Sequence, residues 1–323
     1  MCPRKRSLLK RLSSRQIKNE LSEWETDMAE PGTPPIIGII GGSGLYEIDG
    51  LTNTRWERVG SPFGETSDEF LFGDLDGQEL VFLPRHGRGH KIPPSELNFR
   101  ANIDSLKRAG VTEILSLSAC GSLKENLSPG TFVLVDQFID KTIGRKKTFF
   151  EEGIVAHVPM SNPTSKLIRN ACAEVLKKLK IKHQNKGTYI AMEGPQFSTK
   201  AESESYRKQK IDVIGMTNMP EAKLAREAEI RYATVAMITD YDCWYSKHEE
   251  VDVEQIIRTL NKNSENAKSL VKNVINVLPK YINKEKDPAE NILDKSIITK
   301  KKNWNRKTKQ KLDVILKRYL EKT

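Results

Sequence analysis

RYATVAMITDYDCWYSKH, residues 231–248, is the stretch on which the reading of the fold turns. Residues 232–238 form an unbroken apolar and β-branched run, the pattern of a strand buried on both faces. The run ends in two acids one residue apart, Asp240 and Asp242, at the strand's expected carboxyl end. Open α/β sheets place their ligands there. An Asp at the mouth of an apolar strand loses solvation, so its pKa rises and it can hold a proton to donate. The same two acids also suit a helix cap for the segment that follows, and this stretch alone leaves both roles open.

Upstream, the pattern repeats. IIGII at 36–40 is a short buried strand, followed at once by GGSG. Glycines let backbone N–H groups approach an anion, and Ser43 adds a hydroxyl donor, but the spacing is neither GxGxxG nor a Walker loop. A tight turn explains it equally. Residues 79–84 read as a strand running into RHGRGH, 85–90, whose two arginines and two histidines suit an anion. That segment offers no carboxylate or Cys partner for a metal. Ser95 is the expected N-cap of the next helix and Gly110 its stop.

Residues 112–118 are a third strand, and the small residues at 118–122 leave room for a ligand or for close packing. A fourth strand is expected at 131–135, and a long loop at 140–157 carries His157, by default a structural histidine. An amphipathic helix follows at 164–180, then strands at 187–192 and 211–216. Between those strands lies EGPQFST, where Phe197 is either core or a stacking platform for a flat ligand. Met216 suits core or ligand wall, and Thr217 precedes a helix beginning near 220. A last helix spans 252–278.

Strands alternating with helices, with reactive residues at strand ends, define an α/β domain of three layers. One set of end residues binds an anion: Ser43, Arg85, His86, Ser118 and Thr217. The other holds a flat, nitrogen-rich ligand: Phe197, Met216, Asp240 and Asp242. An anion site beside an aromatic platform and an acid suits cleavage of an N-glycosidic bond by phosphate.

GGSGL, RHGRGH, SACGSL, DQFID, AHVPM, EGPQFST, MTNMPE and TDYDCW occur in this order. Together they resemble the S-methyl-5′-thioadenosine phosphorylase branch of the purine nucleoside phosphorylases, over residues 36–278. The resemblance implies a central mixed β-sheet between helical layers and a homotrimer with sites at subunit interfaces. It implies conversion of methylthioadenosine and phosphate to adenine and 5-methylthioribose-1-phosphate, with phosphate as co-substrate and no metal or organic cofactor. It places phosphate among Ser43, Arg85, His86, Ser118 and Thr217, and the ribose against Ala119 and Met216. Phe197 would pack on adenine, with Asp240 and Asp242 facing N7 and the 6-amino group. His157 would reach the 5′-methylthio group from a neighbouring subunit, and Val251, Val253 and Ile256 would wall that pocket. An acceptor-only carboxylate at 240 favours adenine over 6-oxopurines, the nearest alternative. Gly215 replaces a polar residue common in the family, so one supporting hydrogen bond is expected to be missing.

The net charge of +10 is concentrated at the two ends. Residues 1–28 carry seven Lys/Arg against four acids, and residues 284–323 carry thirteen against six. The body between is close to neutral, which disfavours a specific nucleic-acid-binding fold. The ends read as solvated tails, 1–35 basic and flexible and 284–323 Lys-rich with a possible helix at 307–320. A scaffold that binds polyanions through those tails is the competing reading. The first residues also have the Arg- and Ser-rich composition of a transit peptide, though a short disordered extension is the simpler expectation. Four scattered cysteines, without metal-ligand spacing, point to a reducing, cytoplasmic setting. No apolar run reaches membrane-spanning length.

Overall fold

The structure, a computed structural model, describes residues 35–42, 44–245 and 253–321, with side chains in the last segment from residue 257. Within these, eleven strands form one mixed sheet. They are β1 (Ile36–Gly41), β2 (Thr52–Glu57), β3 (Phe70–Leu75), β4 (Gln78–Pro84), β5 (Val111–Ser122) and β6 (Phe132–Val135). The others are β7 (Gln137–Asp140), β8 (His183–Gln184), β9 (Thr188–Ala191), β10 (Val213–Gly215) and β11 (Arg231–Asp240). The helices are α1 (Phe99–Arg108), α2 (Lys166–Lys178), α3 (Lys200–Lys208), α4 (Asn218–Glu227), α5 (Val253–Ile282), α6 (Arg306–Lys311) and α7 (Lys317–Glu321).

The side-chain alternation of each strand divides the core into two layers. In β4, Val81 and Leu83 join the cluster beneath α1 and α4, while Leu80 and Phe82 join the cluster beneath α2 and α5. Strands buried on both faces read as continuous apolar runs, and those expected from the sequence are present with shifted ends. The polar edge strand β2 is mostly exposed, so no hydrophobic period marks it. Asn98, not Ser95, caps α1: its side chain accepts from the Ala101 N–H, whereas Ser95 lies in a 3-10 turn. Gly110 follows α1 with φ +81°, the left-handed conformation expected of a stop.

The twelve-residue β5 organises the sheet. It pairs in parallel with β1 on one side and with β11 on the other. Its last residues, Gly121 and Ser122, pair antiparallel with Ile214 and Val213 of β10. The C-terminal ends of β1, β4 and β11 and the turn after β10 therefore converge along β5 residues 117–121. In β11 the register slips between Ile238 and Asp240, a bulge that re-aims the acid at the strand's end.

Residues 284–321 depart from the expectation of a solvated tail. Leu293, Trp304, Leu312, Ile315 and Leu316 are buried in the same core cluster as α1 and α4. Their basic neighbours meet acids of the body: Arg318 pairs with Glu229 at 2.9 Å and Lys311 with Glu151 at 3.3 Å. Net charge hid five apolar anchors among the lysines. The helix expected at 307–320 is two short helices, α6 and α7. Among the described residues no helix is long and apolar enough to cross a membrane.

Candidate active site

A cavity of about 420 Å³ opens at this convergence. It is lined by Arg85, His86, Ser118, Ala119, Phe197, Met216, Thr217, Asp240 and Asp242 among others. All nine were singled out in the sequence, and the fold brings them together from strands far apart in the chain. Ser43, Val251, Val253 and Ile256 lie outside the residues whose side chains are described. His157 does not line the cavity; it is exposed, and its N–H bonds to the Ser296 carbonyl at 2.8 Å.

At one end stands Arg85, only 2% exposed. Its guanidinium fork was expected to face an anion, yet it faces Glu221. Nε donates to Oε2 at 2.9 Å and Nη2 to Oε1 at 3.2 Å. Nη2 also donates to Ser116 Oγ at 2.6 Å and Nη1 to the Leu117 carbonyl at 3.1 Å. Of five N–H donors, one on Nη1 remains for a ligand. Glu221 Oε1 also accepts from Ser116 and Tyr232 at 2.7 and 2.8 Å, and Asn218 joins the same network through Ser116, Tyr232 and Thr234. The pair is thus charge-compensated and hydrogen-bonded, the condition under which burying two charges is tolerable. Burial alone would lower the Arg85 pKa, but Glu221 holds it above its usual range.

His86 stacks on His90, with ring centroids 4.3 Å apart. Its Nδ1 lies 2.8 Å from the Ile92 carbonyl. A carbonyl only accepts, so Nδ1 carries the proton and Nε2 is left as an acceptor. Burial, with Arg85 and His90 adding, pushes this imidazole down to about 4. Arg88 plays no part here; Asp68 and Glu69 hold it at 2.8 and 2.9 Å outside the cavity.

The other end belongs to the acids. Asp240 Oδ1 accepts the Asp242 N–H at 2.8 Å, and Oδ2 accepts from Thr239 Oγ1 at 2.7 Å. The capping alternative thus survives as one local bond, not as a helix cap. Thr239 also lies 3.2 Å from the Cys120 carbonyl, so it has a second acceptor when Oδ2 is protonated. Burial raises the Asp240 pKa against these two bonds. Asp242 sits in the left-handed region at φ +54°, and its carboxylate accepts from Ser203 Oγ at 2.6 Å. Its pKa is raised too, chiefly by burial. Gly121 makes room for both acids: a Cβ there would lie 3.0 Å from Asp240 Oδ1 and 3.4 Å from the Asp242 Cβ.

Four residues of β5 separate Arg85, at Leu117, from Asp240, at Gly121. At about 3.3 Å per residue this is ~13 Å, long enough for a phosphate followed by a nucleoside. Between them Ala119 is open to the cavity, Ser118 Oγ lies 3.4 Å from Thr217 Oγ1, and Phe197 is 70% exposed.

Sequence reasoning missed the supports: Glu221, Ser203 and Arg145. Arg145 donates to the Met216, Met219 and Glu193 carbonyls at 2.6, 2.9 and 2.7 Å, fixing the turns that carry Met216 and Phe197. A signal for Ser203 existed, because Thr199 and Glu202 form a capping box that starts α3. Among the described residues no cluster of His, Cys, Asp and Glu could hold a metal ion.

Comparison with known proteins agrees on one family. The model of the phosphorylase superfamily matches residues 36–276. The S-methyl-5′-thioadenosine phosphorylase of Rhodospirillum rubrum is 55% identical over 293 residues, covering 91% of this chain and 100% of the relative. That of Geobacter sulfurreducens is 48% identical over 88% of this chain and 99% of its own. A crystal structure of a methylthioadenosine phosphorylase from an Antarctic soil metagenomic library superposes with a TM-score of 0.83 at 44% identity, covering 88% and 99% of the two chains. The Schistosoma mansoni methylthioadenosine phosphorylase in complex with adenine gives 0.71 at 35% identity, covering 76% and 92%.

Proposed function

The chain belongs to the phosphorylase superfamily, in its S-methyl-5′-thioadenosine phosphorylase branch, and from that premise we propose how its cavity cleaves methylthioadenosine with phosphate. The observation that carries this reading is the single cavity with an anion end at Arg85 and a protonatable acid end at Asp240.

Phosphate lies among Ser43, Arg85, His86, Ser118 and Thr217. Glu221 cancels the Arg85 charge, so the anion is held mainly by hydrogen-bond donors and not by a free cation. The hydroxyl of a hydrogenphosphate dianion donates to His86 Nε2, and its charged oxygens accept from Ser118, Thr217 and the remaining Arg85 N–H. One of those oxygens attacks the anomeric carbon as the bond to adenine N9 breaks. The sugar passes through an oxocarbenium-like state, which the phosphate charge stabilises. Asp240 gives its proton to N7, so adenine leaves neutral. The burial that raises its pKa keeps that proton available. Phe197 packs on the base, Asp242 accepts from the 6-amino group, and Ala119 and Met216 line the ribose.

The enzyme works as a homotrimer, in which exposed His157 reaches the methylthio group bound by a neighbour. Val251, Val253 and Ile256 wall that pocket. No metal or organic cofactor enters the reaction, and its setting is the cytoplasm. The test is adenine release from methylthioadenosine, with adenosine, inosine and methylthioinosine alongside, each with and without phosphate. Strict phosphate dependence and preference for methylthioadenosine support the reading. Preference for the inosines overturns the role of the acids, and turnover without phosphate overturns phosphorolysis.

A further inference from the structure

Tyr189 is buried beneath the cavity floor, and its hydroxyl has no hydrogen-bond partner. It sits on β9 beside β10, in register with Val213, and its ring packs edge-on to Phe138 at 5.7 Å. Gly215, which lines the cavity, lets the hydroxyl in: a Cβ on Gly215 would lie 1.9 Å from Tyr189 Oη and 2.6 Å from Cζ. The space that a side chain at 215 would take is therefore occupied by a polar group from below.

Oη is flanked by the Ser118 hydroxyl and the Thr217 N–H, near enough for both to bear on its titration, without a normal hydrogen bond to either. Ser118 Oγ is itself loosely held, with its contacts to the Ala119 carbonyl and Thr217 Oγ1 both at 3.4 Å. An unpartnered phenol hydroxyl, a loosely held serine hydroxyl and an amide N–H thus converge at the floor of the anion end. A buried hydroxyl without a partner costs free energy, so a ligand that completes the set is favoured.

We infer that Tyr189 is a positioning residue for phosphate, acting through Ser118. When a phosphate oxygen accepts the Ser118 proton, Ser118 Oγ has a free lone pair that the Tyr189 hydroxyl fills, and Tyr189 Oη accepts the Thr217 N–H. The chain Thr217 N–H to Tyr189 O–H to Ser118 O–H to phosphate polarises each bond along its length and strengthens the last donor. No proton is transferred. Burial pushes the phenol up to about 12, so it remains a donor at all working pH.

This inference rests on Ser118 belonging to the phosphate site, and the experiment separates the two. Steady-state kinetics and thermal unfolding are measured on the full chain and on Tyr189→Phe and Ser118→Ala. Tyr189→Phe is expected to raise KM for phosphate about three- to tenfold, the range for losing one hydrogen bond. KM for methylthioadenosine should stay unchanged, Tm without phosphate should hold or rise, and the Tm gain on adding phosphate should shrink. An unchanged phosphate KM, or a fall in Tm with both KM values rising together, overturns the inference and leaves Tyr189 as packing. If Ser118→Ala itself leaves phosphate KM unchanged, the phosphate site is misplaced and the inference falls with it.

Discussion

The two ends of the cavity solve opposite electrostatic problems. At Arg85 a full charge is buried, and every donor but one is matched by Glu221, Ser116 or the Leu117 carbonyl. At Asp240 and Asp242 two half-buried carboxyl groups have only neutral donors, Thr239, Ser203 and the Asp242 and Cys243 N–H groups, to stabilise their charged forms. Near-complete pairing fixes one end in place. Sparse pairing leaves the other end able to keep a proton, because desolvation outweighs the few bonds that favour the carboxylate. The difference teaches that one cavity can hold a rigid, charge-cancelled end beside an end whose acids keep protons more readily than free carboxylates do.

The sharpest way to break the contrast is Glu221→Gln, which strands the Arg85 charge. Unfolding free energy should fall by about 3–5 kcal/mol, as for other buried pairs with one partner removed. Phosphate should then raise Tm more than it does in the parent, because the anion replaces the lost charge. Denaturation with and without phosphate checks both. An unchanged Tm would mean that the pair is not the structural anchor of that end.

Asp240→Asn removes the proposed proton donor at the other end and should lower kcat about 100-fold or more. In the parent, kcat should fall as pH rises through the raised Asp240 pKa, and this alkaline limb should vanish in the variant. The stability sign is the same: because burial raises the folded pKa, Asp240's contribution is intact below the unfolded value and is lost as pH rises through the folded one. A pH–rate profile with the limb unaltered would remove Asp240 from the acid role. The smallest expected effect is that of Ser203→Ala, about three- to tenfold in KM for the nucleoside with phosphate KM unmoved. Equal changes in both would show that Ser203 supports the fold and not Asp242.

The two ends also differ in how far they could be read from the chain. Asp240 and Asp242 stand at the end of an apolar run, so local pattern alone placed them on a strand and at its mouth. Arg85 was equally visible, but its partner was not: Glu221 lies 136 residues away, and only the fold brings the start of helix α4 to the residue that follows β4. The expected anion-facing fork is a Glu221-facing fork for that reason. Gly215 is parallel, since nothing local announces that the Tyr189 hydroxyl fills the space above β9.

Elements followed the same division. Buried strands such as β1 and β11 declare themselves through runs free of charged residues and rich in apolar and β-branched ones. The capping of α1 by Asn98, and not by Ser95, turned on which candidate's side chain meets a free N–H, a matter of one turn of backbone. At the C-terminus the balance of thirteen Lys/Arg against six acids suggested solvation, and five apolar side chains spaced among them decided for burial.

By itself the sequence determined the layered α/β architecture, the strands that carry the site and eight of the residues that line it, because hydrophobic period and strand-end chemistry are local properties; Ala119 came through the family resemblance. Tertiary structure alone decided which charges cancel, which carboxyl groups have their pKa raised and which end of the chain is core. Those depend on desolvation and on contacts between segments more than a hundred residues apart, which no local pattern encodes.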